Sequence, residues 1–222
     1  MGQNPGSIIK PCRRNDEACM IESANKVIPI IATGVPSLNV DPIDPFHLKE
    51  FQLNAPKFFV NATNNEVAGY KSCVFQSVKF NWEVSSLKLE LICPSITISG
   101  HLEISGELPG FPVERNNEFK LTSGEYSLTL SCKFEKVKGA DGKTHMRITD
   151  VENSSELRGG VDLDYEGFKP KTEPEAVEFK KNYAETLYEL ARPSFAKLKY
   201  EYIFKNVNKL LESVPFDDMF LD

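Results

Sequence analysis

One segment in the middle of the chain, Tyr126-Ser-Leu-Thr-Leu-Ser-Cys-Lys-Phe134, alternates apolar and polar residues without a break. Successive side chains of a β-strand point to opposite faces, so the pattern predicts a strand with one buried and one outer face. Leu128 and Leu130 should point inward, and Thr129 should point outward. Such a strand needs partner strands beside it and a cover over its apolar face.

The same alternation recurs on both sides of this segment, between Phe46 and Phe168. Its apolar positions include Val78, Phe80, Trp82, Val84, Leu87, Leu89, Leu91, Cys93, Ile96, Ile98, Leu102, Ile104, Met146, Ile148, Val161 and Leu163. Ala140-Asp-Gly-Lys143 predicts a hairpin turn after the central strand. Several long strands with one apolar face each predict a large antiparallel sheet that is covered on one side.

The cover is predicted at the end of the chain, where residues 174–214 follow a helical period. The predicted inward stripe comprises Val177, Tyr183, Leu187, Leu190, Phe195, Leu198, Tyr202, Val207, Leu210 and Val214. Pro193 should bend this helix so that it follows a curved surface. A sheet that curls about one long helix leaves a lengthwise interior, and large cavities of this kind often hold ligands.

A shorter helix is predicted near the start of the chain. Asp16 is a good N-cap residue, Glu17 places an acid in the first turn, and Gly34 should end the helix after Thr33. Pro29 should kink it near its end. The next segment, residues 34–46, is too rich in proline for regular structure. We assign residues 1–11 to an N-terminal tail, in which Met1–Ser7 shows no apolar signal-peptide region.

Composition and charge restrict the classes of partner. The 222 residues are 41% hydrophobic and 26% charged, which is ordinary for a globular protein. A net charge of −6 disfavours nucleic acid and anionic membranes as general partners. No apolar run reaches the length of about 18 residues that a membrane span requires, so integral membrane association is not expected.

The five cysteines are odd in number, so at least one is unpaired within a monomer. Cys12 and Cys19 enclose a short loop, for which a structural disulfide is favoured over a redox pair or a metal site. Cys93 and Cys132 fall in apolar registers and are expected to be buried thiols, with a bridge between them as the alternative. Cys73 is placed on the more polar face of its strand.

The sequence offers little support for catalysis. It contains no Gly-x-Ser-x-Gly, phosphate-binding loop or His-Glu-x-x-His motif. Its three histidines are scattered, and the Ser-x-x-Lys spacings at Ser85 and Ser194 are best explained by chance. We therefore predict that the protein is not an enzyme and has no cofactor. Asn61-Ala-Thr and Asn153-Ser-Ser are candidate glycosylation sites.

Four segments of the chain resemble one family, and they occur in that family's order. They are Cys12-Arg-Arg-Asn-Asp-Glu-Ala-Cys19, Gly34-Val-Pro-Ser-Leu-Asn-Val-Asp-Pro-Ile-Asp-Pro45, Asp141-Gly-Lys-Thr-His-Met-Arg-Ile-Thr-Asp150, and Val207-Asn-Lys-Leu-Leu-Glu-Ser-Val-Pro-Phe-Asp-Asp-Met-Phe220. The chain from Cys12 onward thus resembles the insect takeout and haemolymph juvenile-hormone-binding proteins. No cysteine follows Cys132, which favours the takeout branch over the hormone-binding branch.

The resemblance implies an α+β fold, a super-rolled antiparallel β-sheet wrapped around one long C-terminal α-helix with a short N-terminal helix. Residues 12–222 would form this single domain. The resemblance also implies an internal hydrophobic tunnel, secretion into extracellular fluid such as haemolymph, and a Cys12–Cys19 disulfide.

We therefore predict a monomeric carrier of an elongated hydrophobic small molecule, such as a terpenoid, a fatty acid or another lipid. The alternative is a surface-acting interaction, lipid-transfer or antimicrobial protein of the same fold. The predicted tunnel wall comprises Tyr70, Val78, Phe80, Trp82, Leu89, Leu91, Ile98, Leu102, Tyr126, Leu128, Leu130, Tyr183, Leu187, Phe195 and Leu198. Of these, Tyr70, Trp82 and Tyr126 could offer both an apolar wall and a polar group.

Overall fold

The architecture is a seven-stranded antiparallel sheet with a long C-terminal helix and a shorter N-terminal one, as predicted. The computed structural model describes residues 8–108, 111–165, 174, 178 and 185–222. The strands are β1 Cys12–Arg13, β2 Phe46–Asn54, β3 Phe58–Ala68, β4 Val74–Asn81, β5 Ser86–Cys93, β6 Thr97–Leu108, β7 Phe111–Lys138, β8 Thr144–Tyr165 and β9 Phe220–Leu221. The α-helices are α1 Glu17–Thr33, α2 Glu185–Leu211 and α3 Phe216–Met219.

Two very long strands, β7 and β8, run the length of the sheet. Along one edge of β7, its first part pairs with β6 and its later part pairs with β5. Strand β8 pairs with the other edge of β7, over the part of β7 from Phe119 to Lys138. The sheet therefore has two halves placed end to end, one built on β2, β3 and β6 and the other on β4 and β5.

The central alternation has the predicted register. Tyr126, Leu128, Leu130, Cys132 and Phe134 are all buried, and Thr129 between them is only half-buried. The predicted hairpin joins β7 to β8, where the Gly139 amide donates to the Lys143 carbonyl oxygen at 3.0 Å. Val84, however, is 63% exposed. Strand β4 ends at Asn81, so the predicted alternation does not extend to Val84.

Helix α1 has the predicted bounds. The Asp16 side chain accepts a hydrogen bond from the Cys19 amide at 2.9 Å, and Gly34 follows the helix with a positive φ of 78°. Asn25 forms a two-way bond with the backbone of Phe75 on edge strand β4, at 2.7 and 3.1 Å. The helix thereby covers a strand edge that would otherwise expose unpaired backbone groups. Ile8, which we assigned to the N-terminal tail, is buried in the core.

Helix α2 contains Pro193 and reaches Leu211. Pro174 and Glu178 are also helical, whereas Val177 and Tyr183 of the predicted stripe lie outside the described residues. Leu190 was predicted to face inward but is 42% exposed. Leu210 and Val214 are buried as predicted, but Lys199, Tyr200 and Asn206 are buried as well, so a stripe built from apolar residues alone was partly wrong.

Two asparagines attach α2 to the rest of the fold. Asn206 is fully buried and accepts a hydrogen bond from the Asp41 amide at 3.0 Å, in the proline-rich segment after α1. Asn208 bonds to both the amide and the carbonyl oxygen of Ile148 on β8, at 2.8 Å each. These bonds fix the rotation of α2 about its axis and thus decide which of its side chains face the sheet.

The cysteine pairing differs in part from the prediction. Cys12 and Cys19 form a disulfide, and a second disulfide joins Cys73 to Cys93. Cys132 is a buried free thiol, as expected. The same expectation for Cys93 was wrong, and so was the alternative Cys93–Cys132 bridge. Cys73 follows a short 3-10 turn at Tyr70–Ser72, just before β4 begins. Strand alternation therefore does not apply to it, and its side chain points inward.

The two ends of the described chain meet. Strands β1 and β9 pair in parallel, with Cys12 opposite Phe220. Phe220 also packs on an aromatic cluster with Phe80, Trp82, Phe134 and Phe216. None of the helices within the described ranges combines the length and apolarity needed to cross a membrane.

Candidate functional site

Two apolar cavities lie between the sheet and the helices, one in each half of the sheet. The larger has a volume of about 250 Å³ and is walled by α1, by β4 and β5, by the adjoining parts of β7 and β8, and by the second half of α2. Its wall residues include Met20, Ile28, Leu89, Leu128, Phe204 and Val207. We refer to it as the large cavity.

The second cavity, of about 110 Å³, lies in the half of the sheet built on β2, β3 and β6. The first half of α2 supplies its other wall, from Leu187 to Lys199. Its wall residues include Phe51, Ala62, Leu102, Leu163, Tyr188 and Phe195. We refer to it as the small cavity. Because successive parts of α2 wall the two cavities, they follow one another along the helix.

Tyr70 contributes to the walls of both cavities. Its position depends on Asp44, whose carboxylate accepts hydrogen bonds from the Gly69 and Lys71 amides at 3.0 and 2.6 Å. Gly69 has a φ of 120°, and a Cβ there would lie 2.3 Å from the Ser95 carbonyl oxygen, so this turn requires glycine. Burial raises the pKa of the Tyr70 hydroxyl well above its usual value, which keeps the ring neutral.

The structure places most of the predicted wall residues on one cavity or the other. Val78, Phe80, Leu89, Leu91, Leu128 and Leu130 line the large cavity. Ile98, Leu102, Tyr126, Leu187 and Phe195 line the small one. Tyr183 lies outside the described residues. Contact of these side chains with a ligand stays a prediction.

Two predicted wall residues lie elsewhere. Trp82 follows β4 in a turn, stacks on Phe80 at 4.5 Å between ring centroids, and donates its indole N–H to the Arg14 carbonyl oxygen at 3.1 Å. It belongs to the terminal aromatic cluster and to neither cavity wall. Leu198 packs against the core around the small cavity without lining the cavity. An inward register alone does not separate a cavity wall from packed core.

Sequence reasoning missed the contribution of α1. Met20, Ala24, Val27, Ile28 and Ile31 form the apolar stripe of this helix, and all five line the large cavity. The stripe was visible in the sequence, but nothing there indicated that it faced open space. Lys199, buried on α2, was also missed. Its spacing from Ala196 and Ile203, three and four residues away, is the helical signal that could have placed it inward.

Other polar groups near the cavities and the chain end have structural roles. Buried His145 contacts the Val214 carbonyl oxygen through Nδ1 and Asp141 through Nε2, at 3.1 and 3.0 Å, which ties the β7–β8 hairpin to the chain end. Across the described ranges, no cluster of three or more His, Cys, Asp or Glu side chains could hold a metal ion. Asn153 is exposed on β8, whereas Asn61 is half-buried on β3. Glycosylation of either stays a prediction.

The antiparallel sheet is covered by helices on one face, and apolar cavities lie between the two layers. This arrangement is typical of proteins that bind apolar ligands. The family model "Haemolymph juvenile hormone binding protein (JHBP)" matches residues 2–221. The chain therefore belongs to the haemolymph juvenile hormone binding protein family, which confirms the resemblance found in the sequence.

Individual relatives are distant in sequence. The chain is 23% identical over 203 residues to a Schistocerca gregaria protein named "Putative beta-carotene-binding protein", covering 89% of this chain and 81% of that one. It is 22% identical to the circadian clock-controlled protein daywake of Drosophila melanogaster, covering 69% of this chain and 64% of that one. The crystal structure of Epiphyas postvittana Takeout 1 superposes with a TM-score of 0.87 at 19% identity, covering 96% of this chain and all of that one. The likeness to Takeout 1 confirms the predicted fold.

Proposed function

We propose that this protein reversibly binds and carries an elongated apolar small molecule inside the two cavities. The observation that carries the proposal is their arrangement, since both are lined almost entirely by apolar side chains and follow one another along α2. Membership of a family of hydrophobic-ligand-binding proteins supports the same function. The relative from Schistocerca gregaria is named for an elongated apolar ligand, which agrees with this shape.

Binding would depend mainly on burial of apolar surface. Each Å² of apolar ligand surface removed from water contributes roughly 25 cal/mol. A narrow apolar wall discriminates by length and girth, and a few polar groups would fix the orientation of the ligand. No chemical step is part of this proposal. We further propose an extracellular location, because two disulfides persist best in an oxidising compartment.

Two measurements test the carrier function. Solvent extraction of purified protein followed by mass spectrometry should release a lipid in an amount comparable to that of the protein. After delipidation, the protein should bind N-phenyl-1-naphthylamine, a fluorescent apolar probe, in a saturable manner. Absence of both extracted lipid and probe binding would show that the interior does not accept ligands, and would favour a protein that acts through its surface.

A further inference from the structure

A lysine lies where the two cavities adjoin. Lys199 is 4% exposed, on the inner face of α2. It lines the small cavity, the next residue Tyr200 lines the large one, and Tyr70 lines both. Among the residues that the structure describes, this mostly apolar interior thus holds one buried amine, at the place where its two cavities adjoin.

Tyrosine rings surround this amine. The Lys199 Nζ atom lies 4.4 Å from the ring centroid of Tyr200, 5.4 Å from that of Tyr126 and 5.7 Å from that of Tyr70. Such rings attract a cation through their π faces but carry no negative charge to balance it. The hydroxyl group of Tyr200 is also buried, beside that of Tyr126, and makes no hydrogen bond of normal geometry to any residue that the structure describes. Two polar groups at the junction therefore lack the partners that buried polar groups normally have.

Within the described part of the chain, the Lys199 ammonium makes no ion pair and no hydrogen bond. Asp44, which acts on Tyr70, accepts the Gly69 and Lys71 amides, and Glu189, on the same helix as Lys199, pairs with Arg192 at 3.0 Å. Burial lowers the pKa of Lys199 to about 8, so the amine is still mainly protonated at neutral pH. An unpaired charge in an apolar interior lowers the stability of the folded protein. A ligand that supplies an opposite charge would offset this loss.

We propose that Lys199 is the head-group site of the interior and that the ligand carries a carboxylate at the end of its apolar chain. This inference rests on the carrier function proposed above. A single cation matches one monovalent anion, whereas a phosphate would need more positive charge. Arg192, the other cation on the small cavity wall, is already bound to Glu189 and to Ser155. The buried Tyr200 hydroxyl would donate to the second carboxylate oxygen.

The test compares dodecanoic acid with methyl dodecanoate, which has a similar chain and no charge. Affinities are measured by displacement of N-phenyl-1-naphthylamine at pH 7. A buried charge-assisted hydrogen bond predicts that the parent binds the acid roughly ten-fold or more tightly than the ester. Lys199→Met should remove this preference by weakening acid binding about ten-fold, with ester binding nearly unchanged. Lys197→Met is the matched control, because Lys197 is exposed on the same helix, and it should keep the preference.

A second readout needs no variant. In the parent protein, the preference for acid over ester should decline between pH 7 and pH 10 as Lys199 loses its proton, because the dodecanoate itself stays ionised. Equal affinity for acid and ester in the parent, or an unchanged preference in Lys199→Met, would overturn the head-group site and leave the carrier function standing. Failure of the parent to bind acid, ester and fluorescent probe alike would instead reject the carrier function.

Discussion

Lys199 has a stability consequence that is independent of any ligand. Its pKa falls from 10.5 to about 8 on folding because the amine is buried, so the folded state binds its proton less tightly than the unfolded state does. Lys199 therefore lowers the free energy of unfolding most below pH 8. This destabilising contribution decreases between pH 8 and 10.5 and disappears above that range.

We expect Lys199→Met to raise the free energy of unfolding of the delipidated protein at pH 7 by up to about 3 kcal/mol. The gain should shrink at pH 10, where the folded parent no longer carries this charge. Tyr70, Tyr188 and Tyr200 stay protonated at that pH because burial raises the pKa of each. Urea denaturation at the two pH values measures the effect. A variant that is less stable than the parent at pH 7 would mean that Lys199 has a stabilising partner.

The pairing of the five cysteines predicts how many of them can be alkylated under each condition. Burial raises the pKa of the Cys132 thiol to about 12, so it should not react with iodoacetamide in the native protein at pH 8. In urea without reductant, intact mass should show one alkylated cysteine, and after reduction it should show five. Three labels in urea without reductant would mean that one of the two disulfides does not form.

At the scale of elements, the attachment of α2 to β8 depends on Asn208. Asn208→Ala would leave the amide and carbonyl of Ile148 without their partner, and each unpaired buried group costs about 1–3 kcal/mol. We expect a loss of about 2–3 kcal/mol of stability in chemical denaturation. Ser154→Ala, at an exposed position on the same strand, should change stability by less than about 0.5 kcal/mol. A similar small change for Asn208→Ala would show that water replaces the lost bonds.

Elements that are determined by neighbouring residues alone, through helix capping or strand alternation, were predictable from the sequence. Asp16 and Gly34 gave the bounds of α1 because caps depend on neighbouring residues alone. The β7 register followed from simple alternation. The predictions for Leu190 and Val84 were wrong because each depends on more than the local pattern. The rotation of a helix and the end of a strand are set by contacts distant in sequence, such as those of Asn208. For the same reason, the position of Trp82 could not be inferred from its apparent register.

At the scale of the whole molecule, the end-to-end cavities predict a dependence on ligand length. Ala62→Phe on β3 would fill part of the small cavity, and Leu128→Trp on β7 would fill part of the large one. Methyl octadecanoate, which has no charged group to bind Lys199, should lose affinity about ten-fold in each variant, because its chain would extend through both cavities. Probe displacement measures the affinities. A loss in only one variant would show that ligands occupy a single cavity.

Measurements of stability test whether Ala62 and Leu128 border open space. In an open cavity the larger side chains should change stability by less than about 1 kcal/mol, whereas overpacking a filled core costs about 1–3 kcal/mol. Thr63→Phe and Thr129→Trp are matched controls, since each places the same new side chain on the other face of the same strand. They should leave the affinity for methyl octadecanoate unchanged.

Helix α2 follows the strands of the large sheet in chain order, so it is synthesised after them. Ribosomes extend a chain at about 5–20 residues per second, so β2–β8 leave the ribosome before the helix that covers them. For those seconds the nascent sheet has its apolar face uncovered in water, where unpaired strands aggregate readily. Because α2 completes the wall of both cavities, its docking on the sheet also encloses the interior. Under the carrier function proposed above, a lipid already on the sheet at that moment would be enclosed as the helix docks.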